Sequence, residues 1–217
     1  MNVLVFGATG SAGSSVLDVC FQSSQVSSVK AITRRTLGMK HEKLTEYIHD
    51  DYSNYSTVTN AFANVDAVMF CLGTSSTQVR EESKYRAITV EYPVAAMREL
   101  LKHSPNAVFH YVSGVGTTAD GRSMWSRVKA EAENTLMSMG KTVCYRPAFI
   151  DAKPSKSEPW YATVAKPMFK LFKPFKSLYV SGVDLGTAMI ATTLRYERSV
   201  VLSNAEIRSV ADKYRKG

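Results

Sequence analysis

The run Gly7-Ala8-Thr9-Gly10-Ser11-Ala12-Gly13 has the composition and spacing to hold a phosphate. Without Cβ atoms the chain can turn tightly there and let a pyrophosphate approach its backbone. A helix starting at that point would add amide donors and a favourable dipole. The run directly follows the strand-like Asn2 to Phe6 and opens a helical stretch, the context in which glycines read as a dinucleotide site and not merely a tight turn. Gly7, Thr9, Gly10, Ser11, Ala12 and Gly13 are therefore candidate cofactor-binding residues.

About twenty residues beyond such a loop, an acidic side chain would hydrogen-bond the ribose hydroxyls of NAD. This chain has Thr33 there, followed by Arg34 and Arg35. Guanidinium groups pair bidentately with a 2′-phosphate, so NADP(H) is expected in preference to NAD(H). The plainer reading is a pair of solvated surface arginines.

Other chemistries lack their residues. There is no G-x-S-x-G elbow for hydrolysis and no G-x-x-x-x-G-K-[ST] loop for nucleoside triphosphates. His41, His49, His103 and His110 lack metal-ligand spacing and read as surface groups at the ends of elements. Cys20, Cys71 and Cys144 are odd in number and lie apart in apolar stretches, which points to reduced buried thiols.

The elements that must position the loop follow a βαβ rhythm. Strand-like runs are Asn2 to Phe6, Val29 to Thr33, Glu46 to His49, Ala67 to Cys71, Val108 to Ser113 and Thr142 to Arg146. Strands so apolar are buried on both faces and joined in parallel by right-handed crossovers. Helices are expected to start near Gly13, Ser56, Glu81 and Ser123, the last ending at Gly140 in a left-handed cap. Val183 to Leu194 and a final helix follow, the latter started by Ser203 and Glu206 at capping-box spacing. The expected fold class is α/β: one Rossmann domain over 1–217, a doubly wound parallel sheet. A small C-terminal substrate-side lobe occupies 152–180, where prolines and aromatics interrupt the pattern.

The net charge of +8 is concentrated between Arg146 and Val180. It is expected to serve a phosphorylated ligand, with no nucleic acid partner. Lys166 to Lys176 interleaves bases and aromatics as membrane-surface segments do, but Pro167 and Pro174 cut its helix short, so a substrate cap is the preferred reading. No secretion signal and no spanning segment are read from the sequence, and the chain is expected to begin at Met1 and to be soluble and cytoplasmic.

The chain resembles the atypical short-chain dehydrogenase/reductases, especially their NmrA-like and Tat-interacting-protein-like branch. The resemblance is carried by Val3 to Gly10, Asp51, Val65-Asp66-Ala67-Val68, Cys71-Leu72-Gly73-Thr74 and Tyr145-Arg146-Pro147. It implies that Asp51 lies against the adenine, with Tyr52 beside it among the cofactor-binding residues. It also implies that Cys71, Leu72 and Gly73 pass the adenosine ribose, and that Pro147 and Ala148 approach the nicotinamide. A Ser and a Tyr-x-x-x-Lys pair would supply catalysis, at positions that here read Ser113, Trp125 and Lys129, with Lys129 also among the cofactor-binding residues through a hydrogen bond to the nicotinamide ribose. Trp125 and Lys129 share a helical face, but an indole has no titratable proton and cannot act as a phenol does.

Two functions follow. One is an oxidoreductase moving hydride between NADP(H) and a small carbonyl or alcohol substrate. The other is a catalytically weak NADP(H)-sensing protein that presents its surface to a regulatory partner, which the missing tyrosine favours.

Overall fold

Val3, Leu4, Val5 and Phe6 expose no surface to solvent, because β1 (Asn2–Phe6) is the middle of a sheet covered on both faces. In the computed structural model, which describes residues 1–152, 175 and 177–217, the other strands are β2 (Ser28–Thr33), β3 (Leu44–Ile48), β4 (Ala67–Phe70), β5 (Val108–Val112), β6 (Thr142–Arg146), β7 (Phe149–Asp151), β8 (Tyr179–Ser181) and β9 (Val200–Ser203). Seven of them form one parallel sheet in the order β3-β2-β1-β4-β5-β6-β9. The chain runs outward from β1 to β3 and then returns to the other side of β1, so the strand order reverses at the residue after Phe6.

Helix α1 (Ser11–Gln22) covers one face together with α5 (Gly182–Arg195) and α6 (Asn204–Lys216), burying Val16, Leu17, Leu185 and Ile207. The opposite face is covered by α2 (Glu82–Arg86), α3 (Tyr92–His103) and α4 (Met124–Met139), through Met97, Leu100, Val128 and Leu136. A π-helical stretch, Ala87–Glu91, joins α2 to α3, and the buried Tyr111 hydroxyl donates to the Thr89 carbonyl inside it at 3.0 Å.

Several expectations change. No α-helix starts near Ser56: that crossover has only a 3₁₀ turn, Thr59–Phe62. Its Asn, Ser and Thr residues bond locally instead, Ser56 N–H to Asn54 Oδ1 at 3.0 Å among them, while Tyr55 buries its ring edge-on against Phe6. Gly140 ends α4 in extended backbone at φ −171°, not a left-handed cap; it is small because a Cβ would press within 3.1 Å of Met97 Cε. The strand β9 and the two-stranded β7–β8 sheet add to the expected runs. Ser203 and Glu206 do form their capping box.

Of the expected lobe at 152–180, residues 153–174 and 176 lie outside the described residues. Tyr179 and Val180 belong to β8, which pairs with β7. Among the described residues no helix is long and apolar enough to cross a membrane.

Candidate functional site

The glycine loop leaves the carboxyl end of β1 at the reversal point. Gly7 takes φ +73°, and a Cβ on it would stand 2.7 Å from the backbone of Cys71 and Leu72. Gly10 N–H donates to the Gly7 carbonyl at 2.9 Å, closing the turn, and a Cβ on Gly13 would lie 2.1 Å from that same oxygen. Strand, loop and helix therefore touch backbone to backbone. The N-cap Gly10 has no side chain to cap α1 and no acid occupies its first turn, so the positive end of its dipole lies at the carboxyl end of β1. These features fit the pyrophosphate of a dinucleotide.

At the end of β2 the Thr33 hydroxyl is buried without a hydrogen-bond partner among the described residues, an orphan that a ligand oxygen would satisfy. Arg34 and Arg35 beside it are exposed. Asp51 is exposed too, and its carboxylate accepts from Ser53 N–H at 3.0 Å and from Ser53 Oγ at 2.5 Å, bonds that hold it below the usual carboxylate range. Tyr52 departs from its expected place. Its ring is buried against Phe6 and Tyr92, so it supports β1 from the core. Cys71 and Leu72 form the wall against Gly7, while Gly73 beyond them is open.

The second half of the site gathers at the ends of β5 and β6. Ser113 is buried, and its N–H donates to the Tyr145 carbonyl at 2.8 Å. Half-buried Lys129 reaches from α4 and donates from Nζ to the Ser113 carbonyl at 2.7 Å. Burial lowers its pKa to about 8 against the opposing charge of Glu133. The Pro147 carbonyl accepts from Val115 N–H at 2.9 Å, which closes the ring of contacts. Ala148 is nearby in sequence, but its N–H is taken by Asn204 Oδ1 at 2.9 Å.

Trp125 packs its ring against Gly116, whose φ is +84° and whose missing Cβ would stand 3.2 Å from the indole edge. The loop therefore needs glycine twice over, for its left-handed backbone and for the ring upon it. Further residues escaped sequence reasoning. Ser126 Oγ ties the same loop by donating to the Gly116 carbonyl at 2.6 Å. Glu133 is 2% exposed and bound by Arg146 at 2.5, 3.0 and 3.2 Å, which fastens α4 to β6. Asn204 clamps Ala148 to the Tyr179 carbonyl. The i, i+4 spacing of Lys129 and Glu133 was the only signal that could have found the acid.

The sequence profile of the NAD dependent epimerase/dehydratase family matches residues 3–136. Among curated proteins, the chain is 26% identical over 202 residues to "Protein fmp52, mitochondrial" of Aspergillus clavatus, covering 89% of this chain and 83% of that one. It is 24% identical to "Protein FMP52, mitochondrial" of Eremothecium gossypii, covering 97% of each. Among solved structures, a UDP-glucose 4-epimerase from Thermotoga maritima has the same fold at TM-score 0.70 and 13% identity, covering 98% of this chain and 82% of that one. A dTDP-glucose 4,6-dehydratase from Streptomyces venezuelae matches at TM-score 0.70 and 13% identity, over 98% and 80%. The expected cytoplasmic location is overturned by the curated relatives, which are named as mitochondrial in several fungi.

Proposed function

The chain belongs to the NAD dependent epimerase/dehydratase family, and from that footing we propose that it binds NADP(H) in the Gly7–Gly13 cradle and moves hydride between this cofactor and a small carbonyl or alcohol. A nucleotide-binding, oxidoreductase-like protein is the family's plain implication, and the resemblance to the atypical short-chain dehydrogenase/reductases agrees with it. The observation that carries the reading is the close packing of Gly13 on the Gly7 carbonyl, which brings the backbone amides at the start of α1 to the carboxyl end of β1. Ser113 and Lys129 are the proposed catalytic residues, and the bound nucleotide supplies the hydride. In line with the names of its relatives, the proposed location is mitochondrial, for which organelle fractionation is the test.

The choice of NADP(H) rests on Arg34 and Arg35, exposed beside the orphaned Thr33 hydroxyl. Charge-assisted bonds to a 2′-phosphate supply the preference. Calorimetry should give at least about tenfold tighter binding of NADPH than NADH, a margin that the double variant Arg34→Ala, Arg35→Ala removes. Equal affinities in the unmodified protein would sink the assignment.

Trp125 favours a second reading, a nucleotide sensor with little turnover, because no phenol stands at its position. Trp125→Tyr distinguishes the two. If a hydride site is present and limited by proton supply, NADPH oxidation against a panel of small aldehydes and ketones rises at least about tenfold. No turnover in either protein, despite NADPH binding, would establish the sensor. The smaller ring leaves space over Gly116, so thermal stability is followed alongside.

A further inference from the structure

We propose that Lys129 is itself the acid–base residue of this site, exchanging a proton directly with the substrate oxygen. This rests on the preceding reading that the cleft takes a reduced nicotinamide nucleotide. It follows from an inventory of the protons present among the described residues. Trp125 has only an indole N–H, which does not titrate, and its ring is turned onto Gly116. The Thr117 hydroxyl donates to the Gly114 carbonyl at 2.8 Å, so in the 3.0 Å contact between Ser113 and Thr117 the proton must come from Ser113. Both hydroxyl protons are thus consumed inside the loop. The Tyr111 phenol donates to the Thr89 carbonyl, and burial pushes its pKa far up. Burial likewise pushes the Cys71 thiol up to about 12.

Lys129 differs in both geometry and capacity. An ammonium has three protons, and the bond to the Ser113 carbonyl uses one. Its Nζ faces the side of Gly114 that lacks a Cβ: the point where that atom would stand is 3.6 Å from Nζ and 4.0 Å from the Pro147 carbonyl. A substrate oxygen can therefore approach the amine between the ends of β5 and β6 without passing a side chain at residue 114.

Among the described residues the charged groups around it are few. Glu133, one turn along α4, favours the ammonium, and Arg146 of β6 neutralises Glu133 in turn. Tyr111 of β5 and Cys144 of β6 also face Glu133, and burial keeps both neutral. Burial outweighs Glu133 and leaves the amine titrating at about 8.

In reduction, hydride from the nucleotide forms a C–H bond at the carbonyl carbon while the C=O π bond breaks and its electron pair moves to oxygen. The Lys129 N–H bond then breaks, and its proton forms the O–H bond of the alcohol. A neutral amine and an oxidised nucleotide remain, and the amine regains its proton from solvent. Oxidation reverses each transfer. Reduction needs the ammonium, so its rate should fall as pH rises through about 8, whereas oxidation should rise over the same range.

The experiment uses the full chain. Competitive acetylation with acetic anhydride from pH 6 to 11, read by peptide mass spectrometry, should show Lys129 half-reactive near pH 8. Glu133→Gln should move that midpoint lower. NADPH oxidation against the carbonyl panel should lose its alkaline limb and fall at least about a hundredfold in Lys129→Arg, which stays charged throughout. Binding of NADPH by that variant, followed by fluorescence, should stay within about tenfold. A Lys129 half-reactive only near the ordinary lysine value of about 10.4, or a Lys129→Arg protein that keeps the rate and the limb, overturns the role while leaving the cofactor reading intact. Failure of the unmodified protein to bind NADPH overturns the cofactor reading, and this role falls with it.

Discussion

Gly13→Ala is expected to weaken NADP(H) binding by more than about a hundredfold and to reduce folding stability by about 2 to 4 kcal/mol. The single added methyl group would stand 2.1 Å from the Gly7 oxygen and 2.6 Å from its carbonyl carbon. Neither atom can withdraw. Gly7 is held at φ +73° with its other side against the backbone of Cys71 and Leu72, and β1 behind it is fully buried. The strain must be relieved by lifting α1 away from the sheet, which opens the contact of Val16 and Leu17 with the core and displaces the amides that face the phosphates. Denaturant unfolding and fluorescence titration with NADPH measure the two effects. Gly73→Ala is the control: nothing stands within 4 Å of the added atom, so stability should change by less than about 0.5 kcal/mol. A Gly13→Ala protein with unaltered binding and unfolding would refute the cradle.

The second large effect is on acid stability. His110 lies in the middle of β5 with no exposed surface, a placement opposite to the surface group expected from sequence. Its Nε2 lies 2.8 Å from the Thr193 hydroxyl and its Nδ1 2.9 Å from the Tyr145 hydroxyl, so each ring nitrogen has a hydroxyl partner. Burial disfavours the imidazolium and lowers the pKa to about 3, so the ring is neutral. Its folded value lies below the unfolded one, so the stability it confers is complete above about pH 6.5 and drains away as pH falls towards 3. The slope is about 1.4 kcal/mol per pH unit once the unfolded chain has taken up its proton. Carboxylates whose pKa the fold lowers, such as Asp184, are lost over an overlapping acid range, and the comparison with His110→Phe isolates the histidine. That variant should be less stable at pH 7, because the Tyr145 and Thr193 hydroxyls lose their ring partner, yet its stability should fall less steeply with acid. Urea unfolding from pH 7 to 4 gives both slopes, and identical slopes would refute the assignment.

Features encoded within a few neighbouring residues were legible before any fold was known. The apolar runs ending at Phe6 and Arg146 could satisfy their backbone and bury both faces only as inner parallel strands. The three glycines after the first strand announced a backbone contact, and Ser203 with Glu206 announced a helix start. In each case the physical cause acts over one turn or one strand, so spacing alone reports it. Other features depended on partners far along the chain. Gly140 is dictated by Met97 across a helix interface, Tyr52 by Phe6 and Tyr92, and the neutral state of His110 by the elements that bury it. Ser113, Lys129 and Pro147 could be named from a resemblance, but the orientation of each depends on contacts that form only after β5, β6 and α4 have assembled. The proton inventory of the site is therefore a property of the tertiary structure: whether a hydroxyl or an amine has a proton to give is decided by which carbonyl folding has placed within reach of it.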